Sequence, residues 1–264
     1  MVVQLSAPFP ALQGNILLKL YDRRFVASYR ETFGIDPWTP QVETQYQQFV
    51  RCGNASSTFV ERLRSDTDFL DREGETWDVA QNEAFLDHEM WSLYETETEV
   101  YRRAHSLQGR DIPRLLHHVS LASPSDATPP GFKCPGILLE FIPGFSLADM
   151  AGNASNEHWQ HIGEEAIRIV HAIGNLGVLN KDVQRRNFIV NWDQLTNKFK
   201  VLMIDFALAT FRDRVKSETE WRKLKAIQDE EGAIGYVLQG KHYPDFIYRR
   251  SEEYSQLDTD FKME

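Results

Sequence analysis

Apolar residues in this chain fall into two rhythms, short unbroken runs and longer stretches in which they return every third or fourth position. The short runs predict strands at Ile16–Tyr21, after a Gly14-Asn15 turn signal, and at Ile112 onward to Leu121. Further runs lie at Ile137–Phe141, and in the pair Phe188-Ile189-Val190 and Val201-Leu202-Met203-Ile204, joined by a polar turn around Asn191 to Asn197. Helical spacing predicts a helix over Trp91–Ala104, with Leu93, Thr96 or Glu97, Val100 and Ala104 near one face. A second helix, capped by Asn156, is expected from Glu157 to about Asn175, its stripe formed by Ile162, Ala166, Ile169, Val170 and Ile173. A third spans Ser217–Leu238. Residues 30–87 are polar and mostly helical in pattern, with Phe49, Phe59, Leu63 and Leu70 for a weak buried face. A loop rich in Ser and Pro occupies 122–135, and Tyr248–Glu264 reads as an exposed acidic tail.

Composition narrows the function classes. A chain of 264 residues with 42% hydrophobic content can build a proper core. Its formal charge of −10 argues against nucleic-acid and anionic-membrane binding, which need a basic footprint. Cys52 and Cys134 have no metal-ligand spacing and form no disulfide framework, so they read as free thiols. With no membrane-length apolar run and no signal-peptide pattern, the expectation is a soluble, intracellular protein of cytoplasm or nucleus.

The chemistry concentrates in Leu179-Asn180-Lys181-Asp182-Val183-Gln184-Arg185-Arg186-Asn187, read with Ile204-Asp205-Phe206-Ala207. An Asp is followed five residues later by an Asn, and a hairpin then leads to a second Asp. Phosphoryl transfer needs these groups: a carboxylate to orient or deprotonate an attacking hydroxyl, and hard oxygen ligands for Mg2+. The stretch resembles the catalytic loop and metal-binding motif of protein kinases and aminoglycoside-phosphotransferase-like kinases, H-x-D-x-x-x-x-N and D-F-G. Asn180 stands where that family has His, and Ala207 where it has Gly. Leu18-Lys19-Leu20-Tyr21-Asp22-Arg23-Arg24-Phe25 is similar to a recurrent stretch of fungal protein-kinase-like proteins.

The resemblance implies an α+β, two-lobed protein-kinase-like fold, one domain over 1–264. Its small lobe, 1–142, would hold an antiparallel sheet, one inward helix and a helical insertion at about 30–87; its larger, mainly helical lobe would be 143–264. It implies Asp182 as the catalytic residue, Asn187 and Asp205 as metal ligands, and ATP and Mg2+ as cofactors. Lys19 would contact nucleotide phosphates and pair with Glu97, with Glu99 and Glu95 as competitors, while the backbone of Glu140 and Ile142 would meet the adenine edge. Arg23 and Arg24 either hold a phosphate or brace the following helix. No Gly-rich loop precedes Lys19, so the amino-terminal strands are expected to be truncated relative to the family. Two functions follow: an ATP-dependent phosphotransferase acting on a hydroxyl of a small molecule or protein, or a pseudokinase serving as a nucleotide-binding or interaction module. Lys181, Arg185 and Arg186 surround Asp182, and they face either an acidic or phosphorylated acceptor or the chain's own carboxylates; the acceptor itself is not specified by the sequence.

Overall fold

The structure, a computed structural model, describes residues 2–4, 15–53, 58–66, 68–122, 133–240 and 243–261. Gly14 and residues 123–132 of the Ser- and Pro-rich loop lie outside them. The chain mixes helices with small antiparallel sheets. Strand β1 (Val2–Gln4) pairs antiparallel with β2 (Asn15–Leu20), and helices α1 (Ala27–Thr32), α2 (Pro40–Arg51), α3 (Thr58–Ser65), α4 (Phe69–Glu73) and the long α5 (Val79–Arg103) follow. Strands β3 (Leu115–Ala122) and β4 (Lys133–Glu140) complete a sheet of order β1-β2-β4-β3. Then come β5 (Phe145–Ser146), α6 (Met150–Asn153), α7 (Trp159–Gly174), β6 (Val178–Asn180), β7 (Phe188–Asp193), β8 (Lys198–Met203), β9 (Ala209–Phe211), α8 (Glu218–Gln228), α9 (Glu230–Leu238) and α10 (Glu252–Asp260).

Contacts divide the chain into two compact units. One contains Thr96–Leu116 and Leu139–Glu264 with the first residues to Leu17; the other contains Leu18–Glu95 and His117–Leu138. The second unit is built on an aromatic core in which Phe59 meets Phe69 and Trp77 edge-on at 5.4 and 5.2 Å, with Tyr46, Phe85 and Leu86 also buried. Beside that core, Glu83 is enclosed and accepts hydrogen bonds from two buried arginines. Arg23 contacts its Oε2, and Arg30 reaches Oε1 at 2.7 Å and Oε2 at 3.0 Å. Arg23 also donates to Glu43 at 2.6 Å, while Arg24 pairs with Asp22. The arginine pair therefore splits, with Arg23 bracing the helices and Arg24 at the surface.

In the first unit, α7 buries the stripe expected of it, Ile162, Ala166, Ile169, Val170 and Ile173, against β8 and α9. The β7–β8 hairpin pairs Phe188 with Met203 and runs to Asp193, so its turn is confined to residues 194–197, where Asn197 takes φ 54° and the Asp193 carboxylate accepts from Leu195 N–H. Gly144 is required where it stands: at φ 157°, a Cβ there would lie 2.3 Å from the Val190 carbonyl oxygen.

Several expectations are corrected. Helix α5 begins at Val79, twelve residues before Trp91, because the buried spacing Glu83, Met90, Glu97, Ala104 extends the face amino-terminally through a charged residue. The strand expected from Ile112 begins at Leu115; Pro113 has no amide hydrogen for a ladder, and Ile112 instead forms an isolated bridge with Gln108. Asn156 does not cap α7. Its amide donates to Asp245 at 2.9 Å, and residues 156–158 form a separate 3-10 turn before the helix starts at Trp159. The helix over Ser217–Leu238 is broken by Asp229, left-handed at φ 40°, whose carboxylate caps α9 by accepting from Gly232 N–H at 3.0 Å. Finally, the acidic tail is not an exposed strand of charge: Ser251 caps α10, and Tyr254 and Leu257 are buried.

Candidate functional site

The candidate site is assembled from two loops in the first unit, and the local fold explains why they meet. Strand β6 is buried throughout and pairs with β9, Asn180 opposite Ala209. The hairpin fixes the other side: Ile204 N–H donates to the Asn187 carbonyl at 2.8 Å, placing the residue before Asp205 against the end of the loop that carries Asp182. Buried Asn180 then ties the loops together. Its Nδ2 donates to the Asp205 carbonyl at 3.0 Å, its Oδ1 accepts the Asp182 amide at 3.0 Å, and its own amide donates to Glu230 Oε1 at 2.8 Å. A side-chain amide can do this because it is donor and acceptor at once.

Asp182 and Asn187 are held directly. Asn187 Nδ2 donates to the Asp182 carbonyl at 2.8 Å and to its Oδ2 at 3.0 Å, which commits both amide hydrogens and leaves Oδ1 as the oxygen that can face a cation. Gln184 Nε2 donates to Asp182 Oδ1 at 2.6 Å, and Arg186 Nη2 spans the carboxylate at 3.3 and 3.2 Å. Arg186 also donates to Gln184 Oε1. Asp205 takes φ 66°, a backbone region that non-glycine residues enter at a cost and that recurs where a side chain must be aimed. Positive φ outside glycine is otherwise confined, among the described residues, to Asn197 and Asp229, so Ala207 keeps an ordinary backbone and its methyl group causes no conflict.

The supporting electrostatics come from α5 and α9. Glu97 is fully buried, whereas Glu99 is bound at the surface by Arg102 and Arg103, and Glu95 is exposed. One turn on, Tyr101 packs edge-on against Phe206, ring centroids 5.8 Å apart. Burial, reinforced by the charges of Glu97 and Asp205, pushes its phenol well above the usual tyrosine range. Glu97, Tyr101 and Asp205 therefore belong to one electrostatic neighbourhood. Behind Asn180, burial raises the Glu230 carboxyl to about 8.

The remaining expected residues are carried by other elements. Lys19 is on β2 in the second unit, half-buried, its Nζ 5.5 Å from the Tyr21 ring centroid. Glu140 ends β4; its amide donates to the Arg114 carbonyl at 2.9 Å and its carboxylate accepts from Arg114 Nη1 at 3.1 Å. Ile142 lies half-buried in the irregular segment after β4. Sequence reasoning placed Arg186 beside Asp182 with either an acceptor or a carboxylate of the chain as its partner, and here the partner is Asp182 itself; it missed the contributions of Gln184 and Glu230, and read Asn180 only as a departure from the family's His. The signal for Asn180 was its short amide two residues before Asp182, a spacing at which such side chains bond local backbone.

Among the described residues, no group of three or more His, Cys, Asp or Glu could hold a metal ion, and no helix is long and apolar enough to cross a membrane. No protein-family model and no curated protein matches the chain. Among solved structures it is similar to one described as "Crystal structure of Rad53 kinase domain and SCD2", at 18% identity and a TM-score of 0.39, covering 64% of this chain and 66% of that one. The chain thus spans just under two thirds of the length of that structure's chain.

Proposed function

We propose that the chain is an ATP-dependent phosphotransferase of protein-kinase-like architecture, transferring the γ-phosphate of Mg-ATP to a hydroxyl acceptor. The observation that carries this reading is the Asn180 junction, which holds the backbones of Asp182 and Asp205 together while Asn187 bonds to the Asp182 carboxylate. A loop rich in Asp and Asn merely for turn-making has no reason to be cross-tied to a left-handed Asp on another loop.

The donor set suits magnesium in company with phosphate. Asn187 Oδ1 and the Asp205 carboxylate offer hard oxygens, too few to fill an octahedron, so phosphate oxygens and water complete it. Bound Mg-ATP supplies the phosphoryl group and the leaving group. Asp182 orients the acceptor hydroxyl and takes its proton, and Asn180 keeps that base in register with the metal-facing Asp205. In calorimetric titration, Mg2+ is expected to bind weakly alone and strongly with ATP. Asp205→Asn should weaken Mg-ATP binding far more than Asp182→Asn; equal metal affinity with and without nucleotide would refute the site.

One observation favours a second reading, a pseudokinase that binds nucleotide without transfer: every oxygen of the Asp182 carboxylate already accepts a hydrogen bond. Phosphate transfer by wild type that is lost in Asp182→Asn separates the two.

A further inference from the structure

The donors on Asp182 are not equivalent. Gln184 and Asn187 are uncharged and bound at 2.6 and 3.0 Å, whereas Arg186 contacts the carboxylate only at 3.2–3.3 Å with 61% of its side chain exposed, against 19% for Asp182. A long, solvated ion pair of this kind contributes little and exchanges partners easily. Its two neighbours in charge, Lys181 and Arg185, have no carboxylate partner at all among the described residues, and the Arg185 guanidinium donates to the Tyr243 hydroxyl at 3.5 Å. This is a chain with 39 acidic and 29 basic side chains, so loop cations without carboxylate partners run against the general balance.

Resting on the phosphotransferase reading, we propose that the acceptor is an anionic alcohol, a small molecule carrying a phosphate or carboxylate a few bonds from the hydroxyl that is phosphorylated. Arg186 is its specificity residue. When the acceptor enters, the Arg186 guanidinium leaves Asp182 for the acceptor's anion, for which its planar fork is suited, and Arg185 adds a second cation. The exchange uncovers Asp182 for the hydroxyl. The acceptor oxygen then bonds to the γ-phosphorus of ATP as the bond from that phosphorus to the β,γ-bridging oxygen breaks; the electron pair stays with ADP and the hydroxyl proton passes to Asp182. An uncharged alcohol leaves Arg186 where it is, and must compete with it for the same carboxylate.

The test pairs each anionic alcohol with its uncharged twin: glycerol 2-phosphate with glycerol, a hexose monophosphate with the hexose, glycerate with glycerol, and a serine peptide with acidic flanks with its neutral analogue. Equilibrium binding to wild type, Arg186→Ala and Arg186→Lys is measured in the presence of Mg2+ and a non-hydrolysable ATP analogue, and ATP-driven turnover is followed by ADP release with 31P detection of product. Wild type is expected to favour the anionic small molecules at least about tenfold, Arg186→Lys to keep part of that preference, and Arg186→Ala to reduce it to about threefold or less. Equal binding of charged and uncharged twins by wild type overturns the inference, as does a preference that survives intact in Arg186→Ala. A selectivity confined to the acidic peptide also overturns it, in favour of a protein acceptor. Charge-selective binding with no turnover of any acceptor would leave the anion site standing and remove the phosphotransferase reading instead.

Discussion

Two arginine–carboxylate clusters, one in each compact unit, use the same chemistry to opposite ends. Around Glu83 both arginines are enclosed, with side-chain exposures of 7% for Arg23 and 5% for Arg30, and the carboxylate is 1% exposed. Around Asp182 the arginine is mostly in water. In the first cluster each charge has lost its hydration and cannot leave its partner without paying that loss, so the cluster works as a fixed joint between a 3-10 turn at Arg23–Phe25, α1 and α5. In the second, water stands ready to replace either partner, so the pair can open. Enclosure, more than distance, separates a brace from a latch.

The largest expected effect is at the brace. Glu83→Gln removes the charge that both buried arginines share and should lower unfolding free energy by about 3–5 kcal/mol, measured by urea denaturation. A loss below about 1 kcal/mol would mean that the enclosed cluster behaves like a surface pair. Next comes the proposed base: Asp182→Asn is expected to leave the unfolding midpoint in place while lowering turnover by about 10²-fold or more, the scale of general-base catalysis. Turnover equal to wild type would exclude Asp182 from the chemistry.

Glu230 offers an intermediate case, a buried carboxyl next to the site with a pH signature. Its folded-state pKa of about 8 lies above the value of 4.5 it has when unperturbed. The neutral acid is therefore what the fold accommodates, and the unfolded chain gives up the proton first. The associated stability is fully present below pH 4.5 and is lost as pH rises towards 8, with a slope of at most about 1.4 kcal/mol per pH unit. Glu230→Gln should flatten that decline between pH 5 and 8 in denaturation series; an unchanged slope would assign the pH dependence to other groups. The smallest effect belongs to the latch. Arg186→Ala should change stability by less than about 1 kcal/mol, and a larger loss would show that the pair is structural after all.

What could be read in the sequence was whatever rests on local repetition or on a chemical motif. The α7 stripe, the hairpin, and the Asp182, Asn187 and Asp205 series were visible as spacing. Three of the misreadings turn on what single side chains do once the chain is folded. Asn156 was available as a cap until Asp245 took its amide. Asp229 interrupts what reads as one helix because its carboxylate caps the next one. The last segment looks like solvated charge, yet Tyr254 and Leu257, three apart behind the Ser251 cap, carry it into the core. Glu231 secures it there, accepting from Ser251 N–H, from Tyr248 and from His171; burial alone would raise its carboxyl, but these bonds bring it down to about 2. Arg23 and Arg186 lie on loops of similar polarity, and only the three-dimensional enclosure of one distinguishes their roles.

The Asn180 junction also bears on precision under thermal motion. Two loops that fluctuate independently add their displacements, so the separation between a carboxylate on one and a carboxylate on the other varies more than either position does. Here the amide that accepts from Asp182 is rigidly part of the same planar group that donates to Asp205, and that group rides on a strand anchored to α9. A shift of the plane carries both loops in the same direction. Their motions become correlated, and the relative coordinate of Asp182 and Asp205 is quieter than the absolute ones.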